Sequence, residues 1–314
     1  MSLGLARRLA TFRHVAGGVV ACAWLLLLSG QSSAAQVAVV LSDESAPYQE
    51  AYQAIRSRLD ETPHTLIPMK ASGLSASMLE GVQLAVAVGV RASESLAALP
   101  DRPPVLAVLV PRAWYVNTGR ARLGDRGRSV SAIFLDQPLQ RQAQLIRLAL
   151  PEAQRVGVLL SAEQEPLLDD LNDALRTYQL SLVPGILSSE DRLIATMEGV
   201  LPQADVLLAQ ADPKVFNRHT AQSLFLTSYR YRTPVFGYSR SMTRAGALLS
   251  LHSSPAQIGR QAAESVIASL QSGRLPPPAH PAYFSISVNE QVARSLGYTL
   301  PPEAELQNNM GARP

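Results

Sequence analysis

The chain has 314 residues, with 28 Lys and Arg against 25 Asp and Glu, five His and a single Cys. The formal charge of +3 does not indicate a nucleic-acid partner, because nucleic-acid binding needs basic residues clustered on one face. One cysteine excludes a disulfide within the chain and a cysteine-based zinc site.

The first 35 residues have the three parts of a secretory signal peptide. Arg7, Arg8 and Arg13 form a basic region, "VAGGVVACAWLLLLSG" is the apolar region, and "QSSAA" provides small residues for cleavage before Gln36. We therefore predict export. The alternatives are an uncleaved membrane anchor and a lipid-modified Cys22. Cleavage would remove three of the 28 basic residues and no acidic one, so the mature chain would have no net charge.

From residue 36 onward, short apolar runs alternate with helical periodicity. The first three runs are "QVAVVLSD", "LAVAVGV" and "PPVLAVLV", with a helix predicted over 46–60. Continuously apolar, β-branched runs of this kind are typical of strands buried on both faces of a parallel sheet. An arginine-rich segment, 112–128, follows and predicts a solvated loop.

The same alternation then begins again. "RSVSAIFLD" leads into an amphipathic helix, and "RVGVLLSAEQ" has the apolar-run-then-Ser ending of the first strand. Further strand and helix patterns continue to "TPVFGYS". Such alternation predicts an α/β chain with two doubly wound, Rossmann-like lobes.

Residues 233–254 contain two apolar runs separated only by "SRSMTRA". Parallel neighbours in one sheet need a crossover of a dozen residues or more. We therefore predict that the chain passes from one lobe to the other at 237–246, as it does at 131–138 and before 283. Three such hinge crossings would let the lobes close on a ligand. The predicted division is a signal peptide (1–35), lobe 1 (36–135 plus 238–282), lobe 2 (136–237 plus 283–302) and a disordered tail (303–314).

Ligands of open α/β sheets bind beyond the carboxyl ends of the strands. Among other residues of this chain, that rule selects Arg240, His252 and Ser253. Tyr48 and Tyr238 are also candidates because their rings could stack on an aromatic ligand. The predicted ligand-binding residues are Ser42, Asp43, Tyr48, Gly89, Arg91, Ser161, Gln210, Asp212, Tyr238 and Ser239.

Several of these residues also have a structural interpretation. Ser42, Ser161 and Asp212 are the kind of residue that caps a helix. Arg91 is suited to a bidentate contact with a carboxylate, but equally to a surface ion pair. We expect His252 to be a half-buried histidine whose hydrogen bonds are made within the protein.

No motif indicates an enzyme. The sequence lacks a GxSxG nucleophile elbow, a phosphate-binding loop and an HExxH motif. His64, His219, His252 and His280 do not have metal-ligand spacing. We therefore predict no catalytic residue, no metal and no cofactor.

Two segments carry a family resemblance. "ADPKVFNRHTAQSLFLTSYRYRTPVFGYSRSMTRAGALLSLHSSPAQIGRQAAESV" and "YFSISVNEQVARSLGY" resemble the tryptophan/tyrosine-type substrate-binding proteins of ABC transporters. The chain departs from that family where members commonly have "GGNVTG" and this sequence has "RAWYVNTGRARLGDRGRSVSA". The resemblance is strongest over 205–300.

The resemblance implies a periplasmic, monomeric binding protein with the two-lobed type I fold. Such a protein captures a small molecule, often an amino acid or aromatic compound, by hinge closure and delivers it to an inner-membrane ABC permease. The alternatives are a periplasmic sensor that signals to a membrane partner and a two-domain transferase.

Overall fold

The computed structural model describes residues 34–311, which include eleven strands in two separate sheets. The predicted signal peptide therefore lies outside the described residues, apart from Ala34 and Ala35. The strands are β1 (Gln36–Leu41), β2 (Thr65–Lys70), β3 (Val82–Val88), β4 (Val105–Val110), β5 (Val130–Phe134), β6 (Arg155–Ser161), β7 (Ser181–Leu187), β8 (Val206–Leu208), β9 (Val235–Gly237), β10 (Leu249–His252) and β11 (Ser285–Val288).

The α-helices of the described residues cover both sheets. They are α1 (Ala46–Leu59), α2 (Val90–Ala97), α3 (Arg112–Trp114), α4 (Arg120–Leu123), α5 (Leu139–Ala149), α6 (Leu167–Thr177), α7 (Leu193–Val200), α8 (Ala221–Arg230), α9 (Arg240–Ala245), α10 (Pro255–Ser272), α11 (Glu290–Leu296) and α12 (Glu303–Asn309). In the described part of the chain, no helix has both the length and the apolarity that crossing a membrane requires.

The first sheet has the order β2-β1-β3-β4-β5, and all its strand pairs are parallel. Its strands other than the edge strand β2 are almost entirely buried because helices cover both faces, which explains their largely apolar sequences. We call this sheet and its helices the first lobe. It includes α10, which packs on α1 and buries Ile258, Ala262 and Val266 in the same core.

Glycine brings α10 and α1 into contact. A Cβ atom at Gly259 would lie 2.4 Å from the Ala51 carbonyl oxygen and 2.9 Å from the Ala54 Cβ. The start of α10 is a capping box, as its sequence indicates, because Ser254 Oγ accepts from Gln257 N at 3.1 Å while Gln257 Oε1 accepts from Ser254 N at 2.9 Å.

The second sheet has the order β11-β10-β9-β8-β6-β7, with β11 antiparallel to β10 and the other pairs parallel. This sheet and its helices form the second lobe. The predicted α/β fold class with two doubly wound lobes is thus confirmed.

The crossing predicted at 237–246 is wrong. β10 lies beside β9 in the second sheet, with Leu249 opposite Phe236. The short helix α9 joins them and packs close over the strand, since a Cβ at Gly237 would lie only 2.9 Å from the Met242 Cβ. Residues 238–252 therefore belong to the second lobe, and the chain returns to the first lobe between β10 and α10.

The three crossings are thus residues 135–138, 253–254 and 279–284. At the third, Ala279 still bonds to the first sheet, since Phe134 N donates to Ala279 O at 3.0 Å, whereas Phe284 directly precedes β11 and is buried in the core of the second lobe. We call these three segments the hinge crossings. The first and third of them overlap the crossings predicted at 131–138 and before 283, whereas the second was not predicted.

The disordered tail predicted for 303–314 is also corrected, because its described part, 303–311, contains α12. Leu306 is fully buried in the core of the second lobe. Glu303 Oε1 accepts a hydrogen bond from Val288 N at 2.6 Å. A single apolar residue per turn is too weak a periodicity for the sequence to predict this helix.

Candidate functional site

A cavity with a volume of about 890 Å³ lies where the two lobes meet. The second lobe contributes the carboxyl ends of β8, β9 and β10, and the first lobe contributes the first turns of α1 and α10. The first hinge crossing, with Asp136 and Gln137, lines it as well. This volume is in the range of pockets that bind small organic molecules.

Three of the ten predicted ligand-binding residues line this cavity: Gln210, Tyr238 and Ser239. Gln210 is 7% exposed, and its Nε2 donates to Gln142 Oε1 at 2.8 Å. Ser239 Oγ accepts from Met242 N and thereby caps α9. Arg240, His252 and Ser253, which the strand-end rule also selects, line the cavity too.

Tyr238 presents a half-buried phenol beside the ring of Phe216, with 6.2 Å between the ring centroids and 85° between the ring planes. Burial raises the pKa of the Tyr238 phenol, and the charge of Asp212 raises it further. The hydroxyl is therefore protonated at neutral pH and remains a hydrogen-bond donor. This arrangement offers a polar handle at the end of an aromatic pair.

The predicted residues of the first lobe do not line the cavity. Ser42 Oγ donates to Val88 O at 2.8 Å and accepts from Ala92 N at 3.0 Å, which uses it within the lobe. Gly89 has φ +92°, and a Cβ there would lie 2.5 Å from Ser42 Oγ and 2.8 Å from the Tyr48 ring. Ser42, Gly89 and Tyr48 thus pack against one another.

Asp43 and Arg91 are both exposed at the same end of the first lobe. Hydrogen bonds from Ser45 lower the pKa of the Asp43 carboxyl, and the charge of Arg91 adds to this effect. Asp43 Oδ1 accepts from Ser45 N at 2.8 Å, just before α1 begins. Neither side chain lines the cavity, so the structure gives no support to a carboxylate clamp at Arg91.

Ser161 and Asp212 join two strand ends of the second lobe. Asp212 is 1% exposed, and its Oδ2 accepts from Ser161 N at 2.7 Å while its Oδ1 accepts from Lys214 N at 3.0 Å. The carboxylate therefore connects the ends of β6 and β8. It is a structural contact and does not line the cavity.

The arginine-rich segment 112–128 is mostly helical rather than a loop, and Arg112, Arg122 and Arg128 pair with acids. Arg112 lies 3.9 Å from Asp170 of the second lobe, and Arg122 lies 3.7 Å from Glu94. These pairs are exposed, and exposed pairs contribute little to stability. The backbone between α3 and α4 is a π-helical turn, Tyr115–Gly119, in which Trp114 covers the glycine.

The polar wall of the cavity carries few charges. Carboxylates of Glu50, Asp136 and Glu303 line it, together with the guanidinium of Arg240. Burial lowers the pKa of His252, Arg240 lowers it further and Glu303 opposes the shift. His252 is therefore neutral at neutral pH, and its Nε2 lies 3.0 Å from Ser287 Oγ.

Sequence reasoning missed a set of glutamines and serines at the same cavity: Gln137, Gln142, Gln257, Gln307, Ser285 and Ser287. All of them except Gln137 lie within helices or within β11 rather than beyond a strand end, so the strand-end rule does not select them. Gln137 lies in a segment predicted as a hinge crossing, and that position was the one feature of the sequence that could have placed it at the cavity. Within residues 34–311, no group of three or more His, Cys, Asp and Glu side chains is arranged to hold a metal ion.

Solved structures with the same two-lobed fold cover most of this chain. The ligand-free, open structure of CD0873 from Clostridium difficile, a substrate binding protein with adhesive properties, has a TM-score of 0.67 at 15% identity, covering 85% of this chain and 96% of that one. The ABC domain from Streptococcus pneumonia in complex with L-Trp has a TM-score of 0.57 at 17% identity, covering 86% and 96%.

A third structure is an arabinose binding protein, AraP from Geobacillus stearothermophilus, with a TM-score of 0.56 at 9% identity, covering 83% of this chain and 99% of that one. At these identities the similarity shows the fold, and it confirms the predicted type I arrangement. No curated protein sequence matches the chain significantly.

The family described as "ABC transporter substrate binding protein" matches residues 80–306, which include most of both lobes and every hinge crossing. The match extends over more than two thirds of the sequence and agrees with the cavity between the lobes. The chain therefore belongs to the ABC transporter substrate binding protein family.

Proposed function

We propose that this protein is exported to the periplasm, captures a small organic solute in the interlobe cavity and releases it to an inner-membrane ABC permease. The observation that carries the proposal is the cavity itself. About 890 Å³ of space is lined by both lobes and by two of the hinge crossings. A ligand that contacts both lobes favours the closed state in proportion to its extra contacts there.

The wall of the cavity suits an uncharged or zwitterionic solute of moderate size. Hydroxyl, amide and imidazole groups of Tyr238, Gln210 and His252 can donate and accept hydrogen bonds without introducing a net charge. The ring of Tyr238, which packs edge-on against Phe216, adds an aromatic surface. These features support an amino acid or an aromatic compound as ligand.

Native mass spectrometry of freshly purified protein is the first test, because it detects a co-purified solute by its mass, whatever its chemical class. Isothermal titration calorimetry with L-tryptophan, L-tyrosine and L-arabinose then compares two ligand classes. We expect a single-site, reversible complex with an amino acid that is returned unchanged. Turnover of a donor substrate would instead indicate a transferase.

The transport role needs a separate measurement, since solute capture alone would also suit a sensor. The purified protein with bound solute should stimulate the ATPase activity of its cognate permease in proteoliposomes. A solute-loaded protein that binds no permease would contradict delivery while leaving capture intact.

A further inference from the structure

Hydrogen bonds donated by two side chains connect all three hinge crossings. Gln137 Nε2, in the first crossing, donates to Ser253 Oγ in the second at 2.8 Å. Ser253 Oγ in turn donates to the carbonyl oxygen of Tyr283 in the third at 2.6 Å. Closure of two lobes changes the backbone at such crossings, so these bonds restrain the interlobe angle.

Arg141, at the start of α5, strengthens the same connection. Its Nη1 donates to Gln137 Oε1 at 2.7 Å and to the carbonyl oxygen of Pro281 at 2.9 Å. The guanidinium also lies over the ring of Phe284, 4.2 Å from the ring centroid. Gln137 is 6% exposed, and both ends of its amide are engaged by these contacts.

The connection extends to the wall of the cavity through Gln142. Its Nε2 donates to the carbonyl oxygen of Gln137 at 3.0 Å, and its Oε1 accepts from Gln210 Nε2 at 2.8 Å. One amide therefore joins the first hinge crossing to a residue that faces the ligand space. Among the described residues, the Oε1 of Gln210 has no hydrogen-bond partner, so it is available to a solute.

We propose that Gln142 is a positioning residue that holds the hinge to the cavity wall, so that a solute engaging Gln210 changes the interlobe angle. A solute that accepts the N–H now donated to Gln142, or that turns the Gln210 amide by bonding to its free Oε1, moves Gln210 Nε2 away from Gln142 Oε1. Loss of that bond frees Gln142 to turn and releases the carbonyl of Gln137. The effect on a bound solute rests on the proposed function, but the effect on the empty protein does not.

The chain offers a matched control in Gln307. This glutamine also lines the cavity and is half-buried, but its Nε2 donates to the carbonyl oxygen of Ile286 at 3.3 Å, inside the second lobe. It has no bond to a hinge crossing. Gln142→Leu and Gln307→Leu thus remove the same group from the same cavity, and only the first removes a contact with the hinge.

The experiment compares empty full-length proteins in a Cys22→Ser background, with spin labels on cysteines at Glu61 and Asp173, which are exposed residues of different lobes. We expect Gln142→Leu to broaden or shift the interlobe distance distribution and Gln307→Leu to leave it unchanged. Amide hydrogen exchange over 135–142 should become about fivefold faster in Gln142→Leu alone, as expected for one lost hydrogen bond.

A second variant guards against a simple folding defect. Gln142→Glu keeps the oxygen that faces Gln210 and loses the N–H that bonds Gln137, so it should show the same faster exchange. Wild-type distances and wild-type exchange in both Gln142 variants would overturn the proposal, as would an equal change in Gln307→Leu.

Addition of L-tryptophan or the co-purified solute separates this proposal from the proposed function. If no solute alters the wild-type interlobe distance or binds in calorimetry, solute capture fails, and the comparison of empty variants still decides whether Gln142 positions the hinge. If a solute alters the wild-type distance, Gln142→Leu should lose at least half of that change. An undiminished change would overturn the coupling to Gln210.

Discussion

The space beyond the carboxyl ends of the strands is filled in the first lobe and open in the second. In the first lobe, Ser42, Gly89 and Tyr48 pack against one another beyond β1 and β3, and the Ser42 hydroxyl bonds to Val88 O and Ala92 N. In the second lobe, Gln210 and Tyr238 beyond β8 and β9 face an open cavity. The same position in a sheet therefore serves packing in one lobe and borders an open cavity in the other.

The difference depends on how fully each polar group is used inside its own lobe. Ser42 makes two internal hydrogen bonds, whereas the Gln210 amide makes one, and that one leads to the hinge. A strand-end residue is available to a ligand only when part of its hydrogen-bonding capacity remains free. Substitution of Ser42, Gly89 or Tyr48 should therefore change stability, and substitution of Gln210 or Tyr238 should change binding.

The largest expected effect is on Gly89. Gly89→Ala places a Cβ on a backbone with φ +92° and 2.5 Å from Ser42 Oγ. Backbone strain and steric overlap therefore both destabilise the variant. We expect the free energy of unfolding in urea to fall by about 3 kcal/mol. Gly73→Ala is the control, since Gly73 has φ +80° with no atom within 4 Å of the added Cβ, and it should cost about 1 kcal/mol. Equal costs for the two variants would contradict the packing argument.

Asp212 should have the next largest effect, because it connects strand ends within the second lobe without facing the cavity. Asp212→Asn replaces one acceptor oxygen by a donor that faces a backbone N–H of Ser161 or Lys214. We expect a loss of about 2 kcal/mol in the free energy of unfolding. Solute affinity should stay unchanged in calorimetry, and a large loss of affinity in the folded variant would place Asp212 in the site.

The sheets and the existence of two lobes could be predicted because each buried strand is a continuous apolar run. The connection of β9 to β10 could not. β9 has three residues and α9 six, so neither gives a measurable period, and the close approach of Met242 to Gly237 is visible only in three dimensions.

The candidate site was predictable only in part for a similar reason. The strand-end rule found Gln210 and Tyr238 because their neighbours in sequence form strands. It could not find Gln137 or Gln142, whose partners Ser253 and Gln210 are 116 and 68 positions away in the chain. Nor could it show that the Ser42 hydroxyl already donates one hydrogen bond and accepts another within its own lobe.

Substitution of Tyr238 tests whether the second lobe contributes to solute affinity. Tyr238→Ala removes the ring that packs edge-on against Phe216 and removes a protonated hydroxyl from the cavity wall. We expect affinity for the co-purified solute to fall about tenfold in calorimetry. Arg91→Ala is the matched change in the first lobe and should stay within about twofold of wild type. A stronger loss with Arg91→Ala would reverse the comparison between the lobes.

The smallest expected effect is the pH dependence from His252. Its pKa is lowered in the folded protein from the ordinary value of 6.5, chiefly by burial. The unfolded chain therefore takes up a proton before the folded one as the pH falls. The stability that depends on neutral His252 is fully present above pH 6.5 and is lost as the pH falls through the lower folded pKa. Urea unfolding of wild type and His252→Gln at a series of pH values measures this effect. The free energy of unfolding of the variant should depend less steeply on pH below 6.5 than that of the wild type. An identical slope in both proteins would show that protonation of His252 is not disfavoured beside Ser287 and Arg240.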